Sequence, residues 1–105
     1  MVFVDVDDTL IRSFGSKRMP ISSMVALVRE LKQRGVALYC WSSGGADYAR
    51  LSAEEVGLGD CFITYLPKPH VMLDDVNVER WNMLQLHPAE CTSLTADELV
   101  SRLQR

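Results

Sequence analysis

Hydrophobic positions along the chain fall into two patterns: short continuous runs, and stripes that recur every three or four residues. Residues 1–4 form the first run, which reads as a short buried strand. Met24, Leu27, Val28 and Leu31 form the first stripe, with Arg29, Glu30, Lys32 and Gln33 on the opposite face. Ser22 or Ser23 is expected to cap that helix, and Gly35 to end it. Residues 36–41 are a second run. Its continuity suggests a strand buried on both faces, as in a parallel sheet. Residues 46–56 read as a helix stopped by Gly57. Residues 61–65 and 70–73 read as further strands, and 81–86 as a weaker one that ends before Pro88. Thr95-Ala96-Asp97-Glu98 is a capping box opening a last helix, with Ala96, Leu99, Val100 and Leu103 as its inner stripe.

The coarse order is therefore β-α-β-α-β-β-β-α, which points to an open, mostly parallel α/β sheet. Residues 10–20 have no clean period and carry Gly15 and Pro20, so a loop or tight hairpin is expected at the end of the first strand. Arg12, Lys17 and Arg18 make it locally basic, as a small flap attracting an anionic substrate would be. The length of 105 residues suits a single domain over residues 1–105, with no repeat, linker or low-complexity segment.

Composition narrows the classes. No apolar run reaches the length of a membrane span, and no basic region precedes the first run, so neither a membrane protein nor a signal peptide is expected. Eleven basic residues against 14 acidic ones give a net charge of −3, which disfavours nucleic acid as a partner. Cys40, Cys61 and Cys91 form no CxxC pair and no zinc cluster. Cys40 and Cys61 lie in apolar runs and read as reduced core residues, so a cytoplasmic protein fits best.

The chemistry gathers where the runs end. The first meets Asp5-Val6-Asp7-Asp8-Thr9, three carboxylates in four positions that repel one another unless a cation sits among them. An Asp-rich turn is the plainer reading of that stretch. The second run stops at Ser42-Ser43-Gly44-Gly45, just before a helix whose free first-turn amides make an anion site. Pro67 and Pro69 hold Lys68 in a stiff segment. The run 70–73 leads into Asp74-Asp75. Ligands of open α/β sheets bind beyond the carboxyl ends of the strands, where these groups are expected to converge. His70 has no feature supporting a catalytic role.

These residues resemble the haloacid dehalogenase superfamily: Asp5-Val6-Asp7-Asp8-Thr9 matches its DxDxT motif, Ser42 its second motif, Lys68 its third, and Asp74-Asp75 its acidic fourth. The resemblance covers residues 1 to about 75. It implies a Rossmann-like three-layer α/β/α fold with a mostly parallel central sheet. It also implies a phosphatase forming an aspartyl-phosphate on Asp5, with Asp7 as general acid and base. Ser42, Ser43, Gly44 and Lys68 would hold the phosphoryl group, Lys68 also neutralising charge beside Asp5. Mg²⁺ would be held by Asp5, the carbonyl of Asp7, and Asp74 helped by Asp75. Asp8 receives no chemistry. Because the acid/base Asp7 is present, phosphoester hydrolysis is favoured over carbon–halogen cleavage.

The chain departs from the larger members in having no room for a cap domain, and in lacking the usual helix between Lys68 and Asp74. The substrate is then a phosphorylated small molecule or macromolecule, with the site closed by oligomerisation or by the substrate itself. Two rivals stand beside this reading. A receiver-type phosphoacceptor is disfavoured by the order of its acidic residues and lysine. A non-catalytic binding or regulatory domain is disfavoured by the intact set of groups.

Overall fold

The computed structural model describes residues 1–103. Its centre is a parallel sheet of three strands, β1 (Val2–Asp5), β4 (Leu38–Ser42) and β5 (Thr64–Pro67), in the order β1-β4-β5. Between the first two lie β2 (Ile11–Phe14), β3 (Lys17–Pro20) and α1 (Ser22–Gln33). Helix α2 (Ala46–Glu55) joins β4 to β5, and α3 (Ala96–Leu103) closes the chain. Among the described residues no helix is long and apolar enough to cross a membrane.

The apolar runs and stripes explain most of this. Val2 pairs with Leu38 and Asp5 with Trp41, so both strands end level with one another. Ser42 pairs with Pro67, which sits on an edge strand where a missing amide is tolerated. Right-handed crossovers place α1 and α2 on the same face of the sheet. Val4, Leu38 and Cys40 point to that face and join Leu27, Val28, Leu31, Ala49 and Ala53 in one core. Gly35 and Gly57 follow the ends of α1 and α2 with φ of 77° and 79°, the left-handed conformation that glycine accepts without strain. Cys40, Cys61 and Cys91 are all buried and free.

Several expectations are corrected. The strand expected over 36–41 is not buried on both sides: Leu38, Cys40 and Ser42 are buried, whereas Tyr39 and Trp41 between them are half-buried. On that second face Phe3, 41% exposed, stacks on Tyr39 at 5.1 Å and meets Trp41 edge-on at 4.8 Å. The α3 helix packs against α1, tied by Arg34 and Asp97, so the layering over the sheet is one of helices on a single face. Neither Ser22 nor Ser23 caps α1. Ile21 takes the cap position because Leu10 O accepts its amide at 2.8 Å, and Met24 N and Val25 N both donate to Ile21 O. The third strand begins at Thr64, since Cys61 is held in a turn by Leu58 O. Residues 10–20 do form a hairpin, β2 paired antiparallel with β3. At α3 the Thr95 hydroxyl accepts the Glu98 amide at 3.1 Å, one of the two bonds of the expected capping box, and Ala96 and Leu99 are buried, Val100 is half-buried and Leu103 is exposed.

No strand forms over residues 70–73 or 81–86. Connectivity explains the first absence. A strand returning parallel to β5 needs a crossover of about a dozen residues, and only Lys68 and Pro69 separate β5 from His70. The run instead lies outside the core, with Leu73 94% exposed. Residues 81–86 carry no ladder pairing and lead into a 3-10 turn at Pro88–Glu90.

Candidate active site

The first site element is the turn after β1. The Val6 carbonyl accepts amides from Thr9, Leu10 and Ile11, at 3.2, 2.9 and 3.2 Å. Val6, Leu10 and Ile11 are fully buried and anchor the turn. Asp8 takes φ of 59° there, a left-handed position that Asp tolerates better than most residues. Asp8 is thus a turn residue facing solvent, as expected. Alternation along this stretch buries Val6 and leaves Asp5 and Asp7 on its accessible side.

The second element is the turn after β4. Ser42 is 1% exposed, and its hydroxyl oxygen accepts the Gly44 amide at 3.0 Å. Its carbonyl accepts both the Gly45 amide at 3.1 Å and the Lys68 amide at 2.9 Å. Ser42 therefore ties the phosphate-turn candidate to the lysine segment. Ser43 and Gly44 are exposed. Gly45 caps α2 with φ of 104° and offers no side-chain acceptor, so the first-turn amides keep their donors. Asp47 in that turn complements the positive end of the helix dipole.

The third element is Lys68, whose ammonium lies 3.2 Å from Asp5 Oδ1. Its nitrogen also lies 6.0 Å from the centre of the Trp41 ring, within cation–π range. Both partners of the ion pair are about one-third exposed, open enough for a ligand to reach them. Asp5, Ser42 and Lys68 are brought together at the carboxyl ends of β1, β4 and β5.

Among the described residues no hydrogen bond or ion pair links Asp74 or Asp75 to Asp5, Ser42 or Lys68. Asp74 and Asp75 are exposed, and Asp74 Oδ1 accepts the Val76 amide at 2.8 Å in a local turn. Among the described residues no group of three or more His, Cys, Asp or Glu could hold a metal ion. Of the expected donors, the Asp5 carboxylate and the main chain at Asp7 lie on the first strand and the turn that follows it. Mg²⁺ keeps several waters and takes one or two carboxylates plus substrate phosphate, so this sparse set suits it chemically.

Three further residues lie beside these groups: Tyr48 and Trp41, which sequence reasoning missed, and Arg18, which it read only as a cation of the flap. The Tyr48 hydroxyl donates to Asp7 Oδ1 at 2.6 Å. Arg18 of the hairpin donates to the Tyr48 oxygen at 2.8 Å, with its guanidinium carbon 5.4 Å from the ring centre. Arg18 also donates to Ser52 and Glu55, at 3.1 Å each. The Tyr48 hydrogen bond and then the Glu55 contact push the Arg18 pKa above its ordinary value, keeping it charged. Arg18 is thus a clasp between hairpin and α2 rather than a free cation of the flap, while Arg12 and Lys17 remain exposed. Trp41 is the third, lying under Lys68. The available signal for Tyr48 was its place in the first turn of α2, from which a side chain leans back over the preceding Ser42–Gly45 turn.

No protein-family model matches the chain, and neither a curated protein nor a solved structure matches it.

Proposed function

We propose that this chain is a Mg²⁺-dependent phosphatase of the haloacid dehalogenase type, with a capless Rossmann-like core, acting on phosphate monoesters in the cytoplasm. The observation that carries the reading is the Asp5–Lys68 ion pair, set beside Ser42 at the carboxyl edge of a parallel sheet. A carboxylate attacking a phosphate dianion meets like-charge repulsion, and a lysine 3.2 Å away is the group that offsets it.

In this mechanism an Asp5 oxygen attacks phosphorus, and the bond from phosphorus to the leaving oxygen breaks. Asp7 in its acid form passes its proton to that oxygen. Water then attacks the aspartyl-phosphate, Asp7 takes the proton released, and Asp5 is regenerated with inorganic phosphate. Lys68 holds negative charge through both steps, while the Ser42–Gly44 turn and the open amides of α2 receive the phosphoryl oxygens. Mg²⁺ bound by Asp5 and the Asp7 carbonyl would add positive charge to the same oxygens.

The test is phosphate release from a panel of phosphomonoesters, with Mg²⁺ and with chelator, for the wild type and Asp5→Asn. Activity is expected to need both the metal and Asp5. Equal rates for the two proteins, or rates indifferent to chelator, would sink the mechanism.

A further inference from the structure

We infer that Tyr48 is a positioning residue for Asp7, held in place by Arg18, so that the hairpin sets which carboxyl oxygen of Asp7 faces the leaving group. This rests on the phosphatase reading above.

The contacts form one chain from the flap to the acid. Arg18 Nη1 donates to the Tyr48 oxygen at 2.8 Å, and the single Tyr48 proton goes on to Asp7 Oδ1 at 2.6 Å. A phenolic oxygen can do both, because it has one proton and spare lone pairs. Tyr48 cannot turn freely. Arg18 lies over its ring, and Gly44 lies so close that a Cβ there would sit 2.8 Å from Tyr48 Cδ2. Arg18 is itself fixed by Ser52 and Glu55 on the same helix.

An isolated aspartate at an exposed turn rotates and presents either oxygen. With Oδ1 committed to Tyr48, Oδ2 is the oxygen left to carry the proton, and no hydrogen bond among the described residues ends on it. A carboxyl group fixed in this way delivers its proton along one direction. In the first step, transfer to Asp5, the benefit appears only when the leaving oxygen needs a proton in the transition state; the second step, hydrolysis of the aspartyl-phosphate, is the same for every ester. An ester whose leaving group departs as a stable anion gains little in the first step.

The readout is therefore leaving-group dependence, measured with p-nitrophenyl phosphate and phenyl phosphate. These differ little in shape and greatly in leaving ability. Tyr48→Phe removes only the hydroxyl. With phenyl phosphate its kcat/KM, which reports the first step alone, is expected to fall about tenfold. With p-nitrophenyl phosphate kcat/KM should fall less than about twofold. Arg18→Met should show the same selective loss, smaller in size, and thermal melts confirm that each variant is folded. Equal losses of kcat/KM on both esters, or no loss on phenyl phosphate, overturn the positioning role while leaving the phosphatase reading intact. A wild type inactive on both esters overturns that reading and this inference together.

Discussion

Asp5 and Lys68 are 63 positions apart in the sequence, yet their charged atoms meet at 3.2 Å. The sheet makes this contact: β1 and β5 flank β4, and Ser42 at the end of β4 binds the Lys68 amide. Removing the charge separates two properties. With Lys68→Met, kcat/KM for a phosphomonoester is expected to fall by about 10²-fold, as when one preorganised donor is lost. Both partners are about one-third exposed, so water already screens the pair. Unfolding stability should accordingly change by less than about 1 kcal/mol. Urea titration and phosphate release on the same preparation check both. A large stability loss with unaltered turnover would assign the pair to structure.

Gly44 gives a second separation of packing from chemistry. An added Cβ would meet Tyr48 Cδ2 at 2.8 Å and Cγ at 3.1 Å, so the ring must move. The same ring carries the hydroxyl 2.6 Å from Asp7. Gly44→Ala is expected to cost about 1–3 kcal/mol as a local overpacking, and to lower kcat further than Tyr48→Phe, because it displaces the ring as well as the hydrogen bond. A variant with the melting temperature and kcat of the wild type would show that the ring has room to yield.

How far the sequence announced this arrangement depends on which kind of signal each part uses. The end of β4 was legible, since an apolar run cut by Ser42-Ser43-Gly44-Gly45 has few other meanings. The convergence of Asp5, Ser42 and Lys68 followed from strand order alone, because parallel strands end on one side. The run at residues 70–73 misled, because local hydrophobicity says nothing about whether the chain has length enough to return. The two residues between β5 and His70 leave no length for a parallel return. The pairing of Tyr48 with Arg18 was illegible for another reason. Their link joins a hairpin to a helix 30 positions away, and side-chain contacts at that distance leave no periodic trace. The cap lies one residue before Ser22 and two before Ser23, at Ile21, which the Ile21–Leu10 hydrogen bond fixes from outside the helix.

Leu38 is fully buried at the start of β4 and belongs to the single core beneath the sheet. Leu38→Ala removes apolar contacts and leaves a cavity, a combination that costs about 2–5 kcal/mol. In a domain this small that is a large share of the total stability. The variant is expected to lose most of its cooperative urea transition, or to shift its midpoint sharply downward. Phe3→Ala, on the half-open second face, should shift it less. The reverse order would mean that the aromatic face is the better packed of the two.

Buried thiols give the stability a defined dependence on pH. Burial pushes the Cys40 thiol from 9.0 up to about 12, with the nearby Asp5 charge adding to the effect. Cys61, Cys91 and Tyr65 are raised in the same direction, each mainly by desolvation. Between pH 9.0 and about 12 the unfolded chain loses the Cys40 proton while the folded chain keeps it. The unfolded state then binds fewer protons, so stability falls as pH rises, by up to about 1.4 kcal/mol per pH unit for one such group. Below pH 9.0 the protonated thiol is common to both states and its contribution is fully present. Urea midpoints are therefore expected to be level, as far as this group decides them, from neutral pH to about 8.5 and to decline steadily above it. Cys40→Ala should make the decline shallower while lowering the midpoint throughout. A thiol reagent such as Ellman's should find the three cysteines slow in the folded protein and fast in urea. An alkaline limb with the same slope in wild type and Cys40→Ala would show that this thiol does not govern the transition.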